Sequence, residues 1–376
     1  MEFDLVWICG VTLVVGMPVS LSGQFQAQGR QALAGLQAWV RDANLQAPDS
    51  FSIVFYDDAS ERSIVEKVTR RLIVDDDVDI LIGPYSSVLT SAAASMAEGH
   101  RKLLWNQGGA SDDVYRRGNP WVVGVLTPAS RYLAGLLPLV READPTASRV
   151  ALVRAATGEF PSAVCSGVVD AAEGLGFNIC FTSEFAASTG DFTPVLEELR
   201  AARPDVVVIV GRVQNDLELS RQLTESDIGA GAVAAVAAGI QGFHDDLGSL
   251  ADRFVGPSQW EPEAQIMPDV GPTGEQVVAS LARDGHQHVD YPMAQAYAAG
   301  LVVQRCSAEA GSADDAALRE AASSLRFSTF YGDFEIDRET GRQVGRETLL
   351  VQWQEGRKVI VWPPERAQGA LVYPWR

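Results

Sequence analysis

Short apolar segments that stop at small or hydroxyl residues just before a helix constrain this chain more than any other feature. Residues 13–17 lead into PVSLSG (18–23), residues 80–83 into PYSS (84–87), and residues 103–105 into NQGGAS (106–111). Repeated strand–turn–helix units of this kind are typical of an open parallel sheet, which presents backbone N–H groups and hydroxyls to a ligand beyond its carboxyl edge. Because no clear acid–base–nucleophile set accompanies them, the pattern predicts binding rather than catalysis.

Two runs of strand–helix units follow one another, which predicts two doubly wound α/β domains. Strands are predicted at 13–17, 51–56, 79–82, 103–106 and 121–125 in the first run, and at 149–154, 178–182, 205–210 and 233–238 in the second. A helix over about 130–142 opens the second run. The end of the chain differs: helices at about 275–282, 293–310 and 314–325 precede a hairpin of 347–354 with 358–362, and residues 366–376 are expected to form a loosely ordered tail.

Length and charge limit the classes of partner. At 376 residues the chain is too long for one ordinary hydrophobic core, which agrees with two domains. Its 49 acidic residues against 30 basic ones give a formal net charge of −19. Because phosphate binding needs a basic surface, this charge argues against a nucleic-acid partner and against docking on anionic lipid. We expect a monomer that binds a small molecule.

The four cysteines, Cys9, Cys165, Cys180 and Cys306, form no C-x-x-C pair, so no zinc or thioredoxin motif is present. Cys165 falls on a predicted helix and Cys180 on the strand after it. The two form either a disulfide or two separate buried thiols.

The apolar residues 5–17 follow Glu2 and Asp4, with no basic residue before them, and Cys9 follows the bulky Ile8. A secretory signal needs a positive start and a small-residue cleavage site. We therefore interpret this stretch as part of the fold, or as a start that omits the true leader.

Motifs for metal binding and catalysis are weak. His286 and His288 stand two residues apart without a nearby cysteine or patterned acid, and the cluster of His244, Asp245 and Asp246 fits a helix start. There is no G-x-S-x-G, G-x-G-x-x-G or G-x-x-x-x-G-K-[ST] motif. We expect no metal, no cofactor and no enzymatic activity, although the adjacent acids at 57 and 58 could act in hydrolysis or be structural.

Taken together, these segments resemble the type I periplasmic binding proteins, and more narrowly their leucine/isoleucine/valine-binding branch, which serves ABC transporters. The resemblance covers about residues 12–365 and is carried by the order and spacing of its markers. They are residues 18–23 with Gly29 and Asn44, YDD (56–58), IGPYSS (82–87), GAS (109–111), residues 204–211 and 239–242, AYA (296–298), YGDF (331–334) with Asp337 and TG (340–341), QW (352–353) and VWPP (361–364).

The resemblance implies an α/β fold of two doubly wound lobes, each with a central mostly parallel sheet, joined by a three-strand hinge. Lobe one would take residues 12–123 and 258–338, and lobe two residues 124–257 and 339–365. The ligand is expected in the cleft between the lobes, which would close over it by a hinge motion.

In that family the ligand carboxylate is held on the first lobe by a hydroxyl after the third strand and by backbone N–H groups after the fourth. The matching residues are Ser86 or Ser87, and Ala110 with Ser111, while Gly109 lets the backbone approach closely. The alternative is that Ser86 only caps its helix and the glycines only make a turn.

Other residues flank this first-lobe site. Ser22, with Gly23, matches a family loop that closes over the ligand, and Phe25 is either an apolar wall or an ordinary aromatic. Tyr85 lies beside the expected cleft, whereas Trp105, inside a strand, is expected in the core.

The second lobe departs from the family's amino-acid-binding pattern. The aromatic residue that stacks over the ligand matches Phe160 if the loop gains one residue, and Glu159 otherwise. A further aromatic is replaced by Arg212, and the acid that pairs with a ligand ammonium is replaced by Gln241.

These two replacements bear on the ligand. A buried ammonium without a paired charge is costly, and an arginine prefers a carboxylate. Unless Arg212 points to solvent or pairs with Asp216 or Glu218, the ligand is expected to be a carboxylic acid with an apolar or aromatic body, or an amide, rather than a simple α-amino acid.

Two function classes stay open. One is a receptor in the periplasm or on the outer face of the membrane that delivers a small carboxylate ligand to ABC permease subunits. The other is a cytoplasmic ligand-sensing regulator on the same fold, as in the short-chain amide sensors. The resemblance to transport receptors favours the first, and the missing leader favours the second.

Overall fold

The structure, a computed structural model, describes residues 12–116 and 118–376. The expectations for Cys9 and its neighbours lie outside these residues. The strands are β1 (Leu13–Val19), β2 (Phe51–Asp57), β3 (Ile80–Ile82), β4 (Leu104–Asn106), β5 (Val122–Gly124), β6 (Arg149–Ala155), β7 (Asn178–Phe185), β8 (Val206–Val210), β9 (Ala232–Ala235), β10 (Phe254–Ser258), β11 (Phe327–Thr329), β12 (Gly332–Phe334), β13 (Leu349–Gln354) and β14 (Arg357–Trp362). The helices are α1 (Gln26–Gln46), α2 (Arg62–Val74), α3 (Ser87–His100), α4 (Asp113–Arg116), α5 (Leu136–Ala143), α6 (Glu159–Leu175), α7 (Thr193–Ala202), α8 (Val213–Thr224), α9 (Gln241–Leu247), α10 (Gly274–Arg283), α11 (Tyr291–Ala310) and α12 (Asp315–Ser324).

The chain divides into two compact units. The first runs to residue 128 and resumes over 265–346, and the second takes 129–264 and 347–376. The chain therefore passes from one unit to the other three times, each time five to eight residues later than the lobe boundaries implied by the resemblance. The first of these shifts arises because β5 and the residues up to 128 stay with the first sheet.

The first unit is built on a five-stranded sheet in the order β2-β1-β3-β4-β5, with every pair parallel. Its central strands are fully buried at Val15, Met17, Ile82 and Leu104, as strands covered on both faces should be. A separate two-stranded antiparallel ribbon pairs β11 with β12.

Glycines bring α1 and α11 of the first unit unusually close. A Cβ on Gly35 would lie 2.0 Å from the carbonyl oxygen of Met293, and a Cβ on Gly300 would lie 2.0 Å from the indole of Trp39. Because any side chain at these positions would overlap a neighbour, the helix pair depends on both glycines.

The second unit is built on a seven-stranded sheet in the order β14-β13-β10-β9-β8-β6-β7. The strands from β10 to β7 are parallel, and the C-terminal hairpin adds β13 antiparallel to β10. All five residues of β8 are completely buried, which agrees with its continuous β-branched sequence. Phe192, Phe243, Phe254 and Trp353 are among the large side chains of its core.

One local expectation was wrong, and one pair of alternatives is decided. The helix predicted over 130–142 is a 3-10 turn, Ala129–Arg131, followed by α5 from Leu136. Residues 132–135 form a turn between them, and Gly135 packs against Trp362 so closely that a Cβ there would lie 2.2 Å from the indole nitrogen. Cys165 and Cys180 are separate free thiols, as one of the two alternatives had it, with Cys165 buried and Cys180 partly buried.

Residues 366–376, expected to be a loosely ordered tail, pack within the second unit instead. Trp375 is buried and its backbone N–H donates to the carbonyl of Gly231 at 2.6 Å. The Tyr373 hydroxyl donates to Asp144 at 2.9 Å. A large aromatic side chain at the end of the chain thus anchors the segment.

Within the described residues, no helix combines the length and the apolar character that crossing a membrane requires.

Candidate functional site

The turn after β3 carries a strained serine at the start of α3. Ser86 has φ +82° and ψ 147°, a region that side-chain-bearing residues rarely adopt. Its hydroxyl accepts a hydrogen bond from the N–H of Leu89 at 3.4 Å, and its own N–H donates to the carbonyl of Gly108 at 3.0 Å. Ser86 is therefore an N-cap, as predicted, and its strain is an outlier of the kind that clusters at ligand clamps.

The loop after β4 is organised around the buried side chain of Asn106. Its Oδ1 accepts from the N–H groups of Gly108 at 3.2 Å and Gly109 at 2.8 Å, and its Nδ2 donates to the carbonyl of Gly109 at 2.7 Å and to the Tyr115 hydroxyl at 2.8 Å. A Cβ on Gly108 would lie 2.4 Å from the carbonyl of Pro84. The glycines thus let the loops after β3 and β4 touch, and their N–H groups are already used inside the protein.

The remaining N–H groups of this loop differ from each other. Ser111, which is fully buried, donates its N–H to the Ser87 hydroxyl oxygen at 2.9 Å. The N–H of Ala110 has no hydrogen-bond partner among the described residues. Of the two backbone donors that the sequence suggested, the structure therefore leaves Ala110 open and occupies Ser111. The hydroxyl protons of Ser86 and Ser87 add two further donors beside it.

The predicted loop residue Ser22 is tied to the end of β2. Its hydroxyl donates to Asp57 Oδ2 at 2.8 Å, and its carbonyl accepts from the Ser60 hydroxyl at 2.8 Å. Burial alone would raise the pKa of Asp57, but hydrogen bonds from the N–H groups of Ala59, Leu21 and Ser22 and from the Ser22 hydroxyl outweigh it and lower the pKa. Asp57 therefore anchors the loop after β1.

The neighbouring Asp58 is fully buried and also serves the backbone. Its Oδ1 accepts from the Ser20 hydroxyl at 2.6 Å and from the N–H of Ser60 at 2.8 Å. Burial raises its pKa, and the charge of Asp57 adds to the rise. These contacts favour the structural interpretation of the acid pair over hydrolysis.

Aromatic residues surround the same edge of the first sheet. The hydroxyls of Tyr85 and Tyr291 are hydrogen-bonded at 2.7 Å, and burial raises the pKa of Tyr85. The Phe25 ring is tilted against Tyr85 with centroids 6.2 Å apart. Trp105 is completely buried, so it belongs to the core as predicted. Tyr291, at the start of α11, was missed because 206 residues separate it from its partner.

In the second unit, Phe160 lies in the first turn of α6, just beyond β6. It is partly buried, and its ring packs edge-on against Tyr132 with centroids 5.4 Å apart. The alternative residue, Glu159, is exposed. Phe160 thus supplies an aromatic side chain at the carboxyl edge of the second sheet, and Tyr132 is a partner that the sequence did not reveal.

Arg212 and Gln241 follow β8 and β9 respectively. Arg212 precedes α8 and is exposed, and its guanidinium has no ion-pair or hydrogen-bond partner among residues that the structure describes. Of its two suggested partners, Glu218 instead pairs with Arg221 at 2.8 Å. Gln241, in the first turn of α9, donates its amide to Asp245 at 3.0 Å. This part of the edge therefore offers an uncommitted cation and an amide.

The other suggested partner of Arg212, Asp216, is 1% exposed and lies inside the second unit. Its Oδ2 accepts from the N–H of Ala237 at 3.0 Å. Burial raises its pKa to about 7, although the backbone N–H groups of Ala237 and Gly211 oppose the rise. The sequence shows an acid in the first turn of a helix but not this long-range contact.

Over residues 12–116 and 118–376, no group of three or more His, Cys, Asp or Glu side chains is arranged to hold a metal ion.

Comparison with known proteins matches residues 12–358 to the periplasmic binding protein family. The chain is 23% identical to the Leu/Ile/Val-binding protein homolog 8 of Brucella abortus (strain 2308) over 375 residues, which cover 94% of this chain and 91% of that protein.

Solved structures share the fold at lower identity. The branched-chain amino acid transporter substrate binding protein LivJ from Streptococcus pneumoniae, in complex with isoleucine, has a TM-score of 0.78 at 16% identity, covering 93% of this chain and 98% of that one. A solute binding protein of an ABC transporter from R. palustris, in complex with benzoate, has a TM-score of 0.75 at 18% identity, covering 93% and 96%. These likenesses confirm the predicted α/β fold with two mostly parallel sheets.

Proposed function

Since this chain belongs to the periplasmic binding protein family, as its motifs predict, we propose that it is the solute-binding receptor of an ABC-type importer, of the leucine/isoleucine/valine-binding kind. Its partners are then the permease subunits of that importer, and its place is the periplasm or the outer face of the membrane. A receptor of this kind holds its ligand without transforming it. The aligned structures bound to isoleucine and to benzoate support a small carboxylate as the ligand.

The observation that carries the ligand class is the set of donors at the first unit's edge. The open N–H of Ala110 and the hydroxyls of Ser86 and Ser87 stand at the N-terminus of the fourteen-residue helix α3. A helix N-terminus favours negative charge, and backbone N–H groups are good carboxylate donors. We assign the ligand carboxylate to these three residues, with Gly109 and Ser111 shaping the loop.

The second unit's edge favours an acid without an ammonium group. Arg212 is an exposed, uncommitted cation, and Gln241 supplies an amide where an acid would be needed to pair with an ammonium. An arginine binds a carboxylate or an electron-rich oxygen but repels an ammonium. The aromatic side chain of Phe160 at this edge suits an apolar or aromatic ligand body, as does that of Tyr85 at the first unit's edge. That the lobes close over the ligand by a hinge motion stays a prediction of the family resemblance.

The first test identifies the natural ligand. The protein is purified without unfolding, denatured, and its released small molecules are analysed by mass spectrometry. We expect a carboxylic acid. Release of a compound with no carboxyl group, or recovery of a chemically altered product after incubation with the compound, would contradict the proposal.

A second test uses matched ligand pairs in calorimetry. Leucine is compared with 4-methylpentanoate, and phenylalanine with 3-phenylpropanoate, so that each pair differs by the ammonium group alone. We expect the acid of each pair to bind at least ten times more tightly. Tighter binding of both amino acids would overturn the ligand class while leaving the receptor assignment in place.

Arg212→Ala separates the contribution of the second unit. It should weaken binding of the acids, whereas Arg203→Ala removes an exposed arginine just before β8, at the opposite edge of the same sheet, and should leave binding unchanged. Equal affinities of the two variants would remove Arg212 from the site.

The genes beside this one test the transport assignment. Permease and ATPase genes are expected. A regulator or amidase gene in their place would point to the amide-sensor alternative.

A further inference from the structure

Asp216 links the loops that follow two neighbouring strands of the second sheet. It stands in the first turn of α8, just after β8, and its Oδ2 accepts the N–H of Ala237, 21 residues away, just after β9. The carboxyl group is almost completely buried. Burying a carboxylate costs free energy unless hydrogen bonds compensate. Asp216 makes a single hydrogen bond to the backbone, so its burial calls for a further explanation.

The same carboxylate also fixes the start of the Arg212 loop. A Cβ on Gly211 would lie 2.8 Å from Asp216 Oδ1 and 2.8 Å from Cζ of Phe185. The backbone of Gly211 therefore lies against Oδ1, a buried oxygen that accepts no hydrogen bond among the described residues. Gly211 immediately precedes Arg212, so movement of the carboxylate would move the arginine.

The segment that leads to Gln241 is held from its other side by independent contacts. The indole N–H of Trp353 donates to the carbonyl of Ala238 at 2.8 Å. A Cβ on Gly239 would lie 1.9 Å from the carbonyl of Pro257. These contacts hold the loop after β9 from the side of β13 and β10. Asp216 holds the same loop from the side of β8, so the loops after β8 and β9 are fixed relative to each other.

We propose that Asp216 is a positioning residue for ligand binding: its carboxylate holds the loops after β8 and β9 in register, and so places Arg212 and Gln241 for the ligand. This inference rests on the proposed receptor function. Asp216 acts from inside the protein, because its carboxyl group lies under Gly211 against the core.

The charge of Asp216 gives this role a pH dependence. Burial raises the pKa of Asp216 to about 7. Hydrogen bonds to an ionised carboxylate are roughly twice as strong as those to a neutral group, so protonation weakens the contact with the N–H of Ala237. Ligand affinity should then fall as the pH drops from 8 to 6.

Other titratable and charged groups face this region. Burial raises the pKa of the Cys165 thiol on α6 to about 11. The charges of Asp216, of Arg154 on β6 and of Glu184 on β7 also act on this thiol. From α9, the His244 ring stacks on Trp353 at 4.8 Å. The pH effect is therefore assigned to Asp216 only if it disappears in Asp216→Asn.

The experiment combines two readouts on the wild type, Asp216→Asn and Asp216→Ala, with Asp246→Asn as the matched control, which removes the same charge from an exposed position of α9. The first readout is amide hydrogen exchange of the peptide that contains Ala237, in ligand-free protein at pH 8. The second is calorimetry with benzoate and with 4-methylpentanoate at pH 6, 7 and 8.

We expect the Ala237 amide to exchange at least ten times faster in Asp216→Ala, and less so in Asp216→Asn, which keeps one acceptor oxygen. Asp216→Asn should bind the acids several times more weakly at pH 8 and lose the two- to tenfold affinity change that the wild type shows between pH 8 and pH 6. The control variant should behave as the wild type in both readouts.

Faster exchange with unchanged affinity would overturn the positioning role and leave Asp216 as a purely structural residue. Unchanged exchange would overturn the loop contact itself. If the wild type binds neither acid, the proposed ligand class fails, and the inference fails with it. If the wild type binds the acids and Asp216→Asn binds them with the same affinity, only the inference is refuted.

Discussion

Replacing Asp216 with Asn should change how the free energy of unfolding depends on pH. The pKa of this carboxyl is raised from 3.8 to about 7 by burial. Between those two values the folded chain keeps a proton that the unfolded chain has lost. Because the folded state binds more protons there, the free energy of unfolding decreases as the pH rises.

The magnitude follows from the gap of about three pKa units. Each unit corresponds to about 1.4 kcal/mol, so the contribution of Asp216 to the free energy of unfolding falls by about 4 kcal/mol from pH 4 to pH 7 and is constant above that. Asn does not titrate, and its side chain fills nearly the same volume. Subtracting the variant's free energy of unfolding from that of the wild type at each pH cancels the contribution of all other titrating groups.

The assay is urea denaturation followed by tryptophan fluorescence at half-unit steps from pH 4.5 to pH 8.5, with Asp246→Asn as control. The wild-type-minus-variant difference should fall by about 1.4 kcal/mol per pH unit up to about pH 7 and then level off. A flat difference would refute the reasoning, because it would mean that Asp216 has the same pKa in the folded and unfolded chains. A difference that rises with pH would mean that the two N–H groups outweigh burial.

Three further predictions concern other parts of the molecule. Gly35→Ala should destabilise the first unit by about 1–3 kcal/mol in urea denaturation, because the new Cβ would overlap the backbone of Met293. The control Gly99→Ala, with no neighbour within 4 Å, should stabilise the protein by about 0.5–1 kcal/mol. Equal effects of the two substitutions would contradict the glycine contact. Ser86→Ala should cost about 1 kcal/mol in thermal denaturation because the cap is lost while φ stays positive, and Ser86→Gly should cost less because glycine relieves the strain; a larger loss in Ser86→Gly would count against strain. Cys165, buried and with a thiol pKa of about 11, should resist iodoacetamide at pH 8 in the folded protein and react once urea unfolds it, as peptide mass spectrometry would report; rapid labelling of the folded protein would show that its surroundings open.

Strand positions could be predicted closely because a strand that is buried on both faces has a continuous run of apolar residues in the sequence. The segment VVVIV became β8 within a residue of its predicted bounds. The helix expected from residue 130 did not form as one piece, because residues 132–135 make a turn. In this turn Gly135 packs directly against the indole of Trp362, a residue more than 200 positions later. Periodicity along the chain carries no information about such a distant contact.

The candidate site was predictable to the level of residue type and loop, and no further. Hydroxyl and glycine residues after β3 and β4 mark the edge of a parallel sheet, and hydrogen bonds from Ser86 to Gly108 and from Ser111 to Ser87 join the two loops there. Which donors remain open depends on hydrogen bonds between loops. The N–H of Ser111 donates to the Ser87 hydroxyl, and the Ser22 hydroxyl donates to Asp57, so neither group is free for a ligand. The spacing of residues in the sequence does not encode these contacts.

The acids near both sheet edges explain why the proposed ligand class rests on hydrogen bonding rather than on net charge. The chain has a formal charge of −19. Glu159 at the second edge is exposed, but four other acids near the two edges are committed to contacts inside the protein. Asp57 receives N–H and hydroxyl donors from the loop after β1, and Asp58 holds Ser20 and Ser60. Asp216 faces the core, and Asp245 accepts the amide of Gln241.

An ammonium group that pairs with one of these four acids would have to displace an internal donor. A carboxylate at the first unit's edge would instead meet the N–H of Ala110 and two serine hydroxyls, and a carboxylate at the second unit's edge would meet the guanidinium of Arg212; none of these contacts breaks an existing contact to those acids. The cost of leaving a buried charge unpaired therefore falls on the amino acid and not on the simple acid. This difference is the physical basis for expecting 4-methylpentanoate to bind more tightly than leucine.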